Sequence, residues 1–218
     1  MPAITISRQY GSGEREIADR ICELLGYRFF DKRLIANIAA DVGLSRDEIV
    51  DYSEDNYMVK SFLTRVGELF SGPPRLSFDV ALRPTGSSHG KTLSVNQMDE
   101  NAAVALVNST ILAAYKLGYV VIVGRGGQAV LKDKHDVLHV RLEAPIEARM
   151  SRVSAIEKVD CDEARKIIDE RDKSAAQYLE RYYKIRWDDP MLYHLVVNTG
   201  KVHPEAAAQL IVTALLQL

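Results

Sequence analysis

The stretch SRQYGSGEREIA, residues 7–18, joins the apolar run AITIS (3–7) to a segment where Ile17, Ile21, Leu24 and Leu25 recur at helical spacing. Gly26 then supplies a helix stop. Strand, glycine-rich turn and helix N-terminus in succession make an anion site. Backbone N–H groups point outward there, the helix dipole favours negative charge, and glycine lets a phosphate approach the chain closely. Arg8 and Arg15 flank the turn and add charge. A plain tight turn between strand and helix is the other reading of a short GSG. The strict phosphate-loop pattern G-x-x-x-x-G-K-[ST] is not met. Counted back from Gly13, its first glycine falls at Arg8, its lysine at Glu14 and its metal-binding hydroxyl at Arg15.

Working outward, four more short apolar runs read as strands: YRFFD (27–31), YVVIVG (119–124), VLHVRLEA (137–144) and HLVVNT (194–199). Several are rich in Val and Ile with little polar alternation, as suits strands buried on both faces of a parallel sheet. Helical segments separate them. Ser45 and Glu48 form a capping box with Leu44 stapling to Ile49, and Pro145 opens a helix at its first position. Asp160 and Glu163 cap a long helix that runs to about Tyr183. His203-Pro204-Glu205 starts the last helix, with Leu210, Ile211 and Leu215 expected to face inward. Residues 51–93 break the alternation with SGPP (71–74) and RPTGSSHGK (83–91), and read as a mobile insertion. The expected architecture is a three-layer α/β sandwich with a parallel sheet of about five strands. Residues 1–50 and 94–218 form its core.

Charge narrows the function classes. With 28 basic and 30 acidic residues the net charge of −2 gives no reason to expect nucleic acid or a membrane surface. No leader precedes Ala3 and no apolar run approaches the ~20 residues that span a bilayer, so a cytoplasmic setting is expected. Cys22 and Cys161 lie far apart, and Cys22 falls on a helix core face. His89, His135, His139, His194 and His203 make no metal-ligand spacing, and His139 reads as packed within a strand. No metal site is expected from side-chain spacing. The aromatic cluster around Arg181-Tyr182-Tyr183 and Trp187 suggests a packed helix end or a homodimer surface.

From Ile4 to Asp31 the chain resembles the opening of the cytidylate kinases, and more closely the cytidylate kinase-like group. There a strand, a GSGGREIA-type loop, a helix and an F-[FY]-D strand follow with this spacing; here they read GSGEREIA and FFD. The likeness continues at VIVGRGG (121–127), at VRLEAPIEARMSRV (140–153) and at ERD (170–172). It covers most of the chain except the insertion. Motifs that are weak singly become specific by falling in order on the expected elements.

The resemblance implies a P-loop kinase-like fold and transfer of the ATP γ-phosphoryl group, with Mg²⁺, to a nucleotide or other small phosphorylated acceptor. Such chemistry asks for positive charge and hydrogen-bond donors around the moving group. On this implication Gly11, Ser12, Gly13 and Glu14 cradle phosphates through the backbone, with Arg8 and Arg15 adding charge. Arg149 and Arg152, three apart on one helix face, belong to a lid-like segment (149–180) that closes over the transferring group. Arg125 and Arg171 hold the acceptor's phosphate. Asp31 holds the acceptor or a metal-bound water, or else caps the helix that begins at Lys32. For the arginines, an ordinary surface ion pair is the alternative. Departures from the group are Glu14 in place of its glycine, Gly126 where cytidylate kinases carry Asp, and KSAAQY (173–178) without the residues that recognise cytosine. Two other readings remain: a catalytically silent nucleotide- or phosphate-binding regulatory module of the same fold, and an α/β protein of unrelated function.

Overall fold

The computed structural model of the protein describes residues 2–30 and 100–218. The five apolar runs are strands: β1 (Ala3–Arg8), β2 (Arg28–Phe30), β3 (Val120–Val123), β4 (Val137–Glu143) and β5 (Leu195–Asn198). They pair in parallel in the order β2-β3-β1-β4-β5. Because β1 lies at the centre, with Ile4 opposite both Val121 and Leu138, the loop that follows it emerges at the middle of the sheet edge.

The described helices are α1 (Glu14–Leu25), α2 (Glu100–Leu117), α3 (Gly127–Val130), α4 (Ile146–Glu157), α5 (Cys161–Tyr183) and α6 (Pro204–Leu215). On one face of the sheet Ile4, Ile6, Val121, Leu138 and Val140 pack against α1 and α6. On the other, Ala3, Val120, Ile122 and Val137 pack against Ile111 and Ala114 of α2. These are the three expected layers. Among the described helices none is long and apolar enough to cross a membrane.

One inward assignment was too generous: Leu210 is 50% exposed, and Leu24, which shares the helical spacing of Ile17 and Ile21, is 41% exposed. The contact between α1 and α6 is lined instead by Ala18, Ala207 and Ala208 beside Ile21 and Ile211. Such small side chains let the helices approach closely, so the buried stripe is narrow and a leucine one step off it stays wet. Pro145 is the N-cap of α4 rather than its first helical residue. Asp160 caps α5 as expected, its side chain accepting from the Glu163 N–H at 2.8 Å. Cys22 is only half-buried, yet burial, followed by the charge of Asp19, pushes its thiol up to about 11.

Beyond Ala3 and Val137 the second face of β1 and β4 is polar. Thr5, Ser7, His139 and Arg141 are all buried there. Arg141 donates to Glu143 Oε1 at 2.6 Å and to the Trp187 carbonyl at 2.5 Å, with its guanidinium 4.6 Å from the Trp187 ring centroid. Trp187 thus packs within the chain. Asp31, the Ser45–Glu48 box, His89 and the 51–93 insertion lie outside the described residues.

Candidate functional site

The loop after β1 is held on every side by groups distant in sequence. Gln9 N–H donates to the Leu142 carbonyl at 3.0 Å, and Gln9 Oε1 accepts from the Ala144 N–H at 3.1 Å. These bonds carry the β1–β4 pairing one residue past the strand. The chain then turns: Ser12 N–H reaches back to the Gln9 carbonyl at 3.2 Å, and Gly11 and Gly13 take φ of 78° and 83°. A Cβ on Gly11 would lie 2.8 Å from Val153 Cγ2 and 3.1 Å from the Arg149 carbonyl oxygen, so only glycine lets the loop sit this close to α4.

Gly13 is the N-cap of α1 and no side chain caps it. The first N–H groups of that helix therefore lack the usual side-chain acceptor, with the positive end of the dipole beside them. Ser12 is fully buried and among the described residues its Oγ has no hydrogen-bond partner. An orphaned buried hydroxyl costs about 1–3 kcal/mol and calls for an explanation. A phosphate oxygen at the α1 N-terminus, where the helix dipole favours negative charge, is one. A second buried donor without a partner among the described residues, Arg149 Nε, flanks the same loop.

The arginines divide into distinct positions. Arg8 Nε meets Glu14 Oε1 at 3.2 Å, with side chains only 10% and 20% exposed. Glu14 thus carries a positive partner instead of projecting a bare carboxylate. Arg15 is 74% exposed, 3.6 Å from Asp19. Arg149 is buried and pairs with Asp172 at 2.5 Å. Arg152 donates to the carbonyls of Gly11 (3.3 Å) and Thr199 (2.7 Å), and its guanidinium lies 3.8 Å from where a Cβ on Gly13 would stand. The Arg171 guanidinium is 5.8 Å from the Tyr10 ring centroid.

Arg125 sits apart from these, in the turn after β3. It is buried and has a φ of 60°, between Gly124 at 70° and Gly126 at 73°. A left-handed conformation at a non-glycine residue is strained, and such strain concentrates at functional sites. The Gly124 N–H donates to the Ile6 carbonyl at 2.8 Å, which fixes this turn beside β1. Asp31 lies outside the described residues.

Three residues that hold the loop were not singled out from sequence. Asp172 Oδ1 accepts from the Tyr10 N–H at 2.8 Å. Thr199 Oγ1 donates to the Ser12 carbonyl at 2.6 Å, and Gln9 bridges to Ala144. Asp172 lies inside the ERD motif, Thr199 at the end of the strand HLVVNT and Gln9 within SRQYGSGEREIA, which are the signals the sequence offers. An open groove of about 820 Å³ runs beside the loop, lined by Gly13, Arg15, Arg152, Ile156 and Pro204 among others. Among the described residues no group of three or more His, Cys, Asp or Glu side chains is placed to hold a metal ion.

A parallel sheet in the order 2-3-1-4-5, with a glycine-rich turn between its central strand and the first helix, is a P-loop kinase fold. Shikimate kinase from Acinetobacter baumannii, solved in complex with shikimate, shares it at a TM-score of 0.51 and 14% identity, over 100% of this chain and 94% of that one. An uncharacterized protein from Eubacterium ventriosum matches over 100% of both chains with a TM-score of 0.64 and 18% identity. The chain belongs to the cytidylate kinase-like family, whose model matches residues 3–201. Its relatives include the cytidylate kinases of Methanopyrus kandleri, 24% identical over 91% of this chain and 84% of that protein, and of Halobacterium salinarum, 24% identical over 97% and 88%.

Proposed function

We propose that the protein is an ATP-dependent kinase that phosphorylates a nucleotide or another small phosphorylated acceptor. The observation that carries this reading is the uncapped, left-handed Gly13 at the α1 N-terminus beside the buried Ser12 hydroxyl, unpartnered among the described residues. ATP, when bound, would supply the phosphoryl group, and its Mg²⁺ would neutralise charge developing on the phosphates. Gly11, Ser12, Gly13 and Glu14 receive the donor phosphates through backbone N–H groups. Arg8, largely buried at the loop, supplies the charge that a loop lysine would give, with Arg15 contributing from the groove side. Arg149 and Arg152 face the transferring group from α4. Arg125 and Arg171 bind the acceptor's phosphate. Arginine suits these places because its fork binds phosphate oxygens in pairs and stays charged. Val153, Ile156 and Pro204 give the groove an apolar wall for the nucleotide base.

The test is ADP formation from MgATP across a panel of nucleoside monophosphates. Turnover with one of them, abolished by Arg125→Ala, supports the enzyme. Glu14 at the lysine position favours a second reading, a nucleotide-binding protein without turnover. Tight MgATP binding with no ADP formed on any acceptor leaves that reading standing and removes the first.

A further inference from the structure

We infer that Asp172 is a positioning residue for the phosphate loop, acting through Tyr10 and Arg149; the inference rests on the phosphate-site reading above. Its carboxylate is divided between two elements. Oδ1 accepts from the Tyr10 backbone N–H at 2.8 Å, and Oδ2 pairs with Arg149 Nη1 at 2.5 Å. The same Arg149 nitrogen reaches the Tyr10 carbonyl at 3.4 Å. Loop, α4 and α5 therefore meet on one carboxylate, 162 residues along the chain from Tyr10.

Tyr10 is fixed in other ways that make this junction stiff. Its ring packs with the α4–α5 core of Val153, Ala164 and Ile168, and its hydroxyl donates to Glu157 Oε1 at 3.0 Å. One residue on, Gly11 lies against Val153 and Arg149. Removing the carboxylate would leave two charge-assisted bonds unmade at once. The Tyr10 N–H would lose its acceptor and the buried Arg149 its counter-charge. Arg149 would then be free to swing, and Gly11–Gly13 would lose the hydrogen bond that sets their entry angle. Asp172 itself touches no substrate. It sets where the N–H groups and Arg149 Nε stand before a phosphate arrives.

The test measures MgATP affinity by calorimetry, and melting temperature, on the full chain and on Asp172→Ala, Asp172→Asn, Arg149→Ala and the Asp172→Ala/Arg149→Ala pair. An Ile168→Ala variant in the hairpin core is the control for lost stability alone. Expected are an affinity loss of about tenfold or more for Asp172→Ala and a smaller one for Asp172→Asn, whose amide oxygen still accepts from Tyr10. The double variant should be no worse than its weaker parent within about twofold. Ile168→Ala should lower the melting temperature without shifting affinity. Wild-type affinity in Asp172→Ala, multiplying losses in the double variant, or an equal affinity loss in Ile168→Ala would each overturn the inference alone. Absence of MgATP binding by the wild type would overturn the phosphate-site reading, and this inference with it.

Discussion

Arg8 Nε and Glu14 Oε1 lie 3.2 Å apart across the glycine turn, at the place where a P-loop lysine would otherwise stand. The pair explains how the loop tolerates a carboxylate at the mouth of an anion site. Glu14 is met by a cation before any phosphate arrives, and at the first turn of α1 its charge also suits the helix dipole.

If Arg8 supplies the charge for the phosphates, Arg8→Ala lowers MgATP affinity about tenfold or more, on the scale of one charge-assisted hydrogen bond. Arg15→Ala, at an exposed side chain, costs less than about threefold. Isothermal titration of both variants decides the order. A larger loss at Arg15 would return the role to the exposed arginine.

Glu14→Gln keeps the backbone N–H while removing the competing carboxylate. MgATP binding should tighten by about threefold, and stability should change by less than about 1 kcal/mol because the glutamine amide oxygen still accepts from Arg8 Nε. Weaker binding would mean that Glu14 orients Arg8 instead of merely being neutralised by it.

Gly126 is left-handed at a φ of 73°, and a Cβ there would stand 2.7 Å from a ring carbon of Tyr183. That ring cannot yield easily, since the Tyr183 hydroxyl donates to Asn108 Oδ1 at 2.6 Å. Gly126→Ala should cost about 2–5 kcal/mol of stability in urea unfolding, the overpacking against Tyr183 added to the left-handed backbone strain. In a Tyr183→Ala background the penalty should fall toward the backbone strain alone, about 1–2 kcal/mol. An equal penalty in both backgrounds would remove Tyr183 as the cause.

Much of this was legible in the chain. The strand, glycine turn and helix around Gly11–Gly13, the five strands, the Asp160 cap and the close of α5 at Tyr183 all follow from local periodicity and capping chemistry. Less legible were partners far apart in sequence. Nothing near Asp172 says that it meets Tyr10, nor near Thr199 that it holds the Ser12 carbonyl, since those contacts exist only once the sheet has formed. Leu210 fails for a related reason. An amphipathic pattern locates a helix face, but the width of the buried stripe depends on which residues the opposing helix brings, here alanines.

Burial, and then the neighbouring His194, push the His139 imidazole down to about 4, while Thr5 Oγ1 lies 2.6 Å from its Nδ1. The unfolded chain, with an ordinary histidine near ~6.5, takes up its proton first as pH falls. Stability from this group is therefore complete above about pH 6.5 and drains between about 6.5 and 4, at no more than ~1.4 kcal/mol per pH unit. Melting curves across that window should slope less in His139→Gln than in the wild type. Parallel curves would show that His139 is not the group responsible.

The central claim is that Gly11–Glu14 receive nucleotide phosphates through the backbone. A ¹⁵N-edited NMR titration with MgATP reads those amides directly. The account predicts that Gly11, Ser12, Gly13 and Glu14 carry the largest shifts, weakened by Arg8→Ala. Saturating MgATP that leaves all four amides unmoved would contradict it.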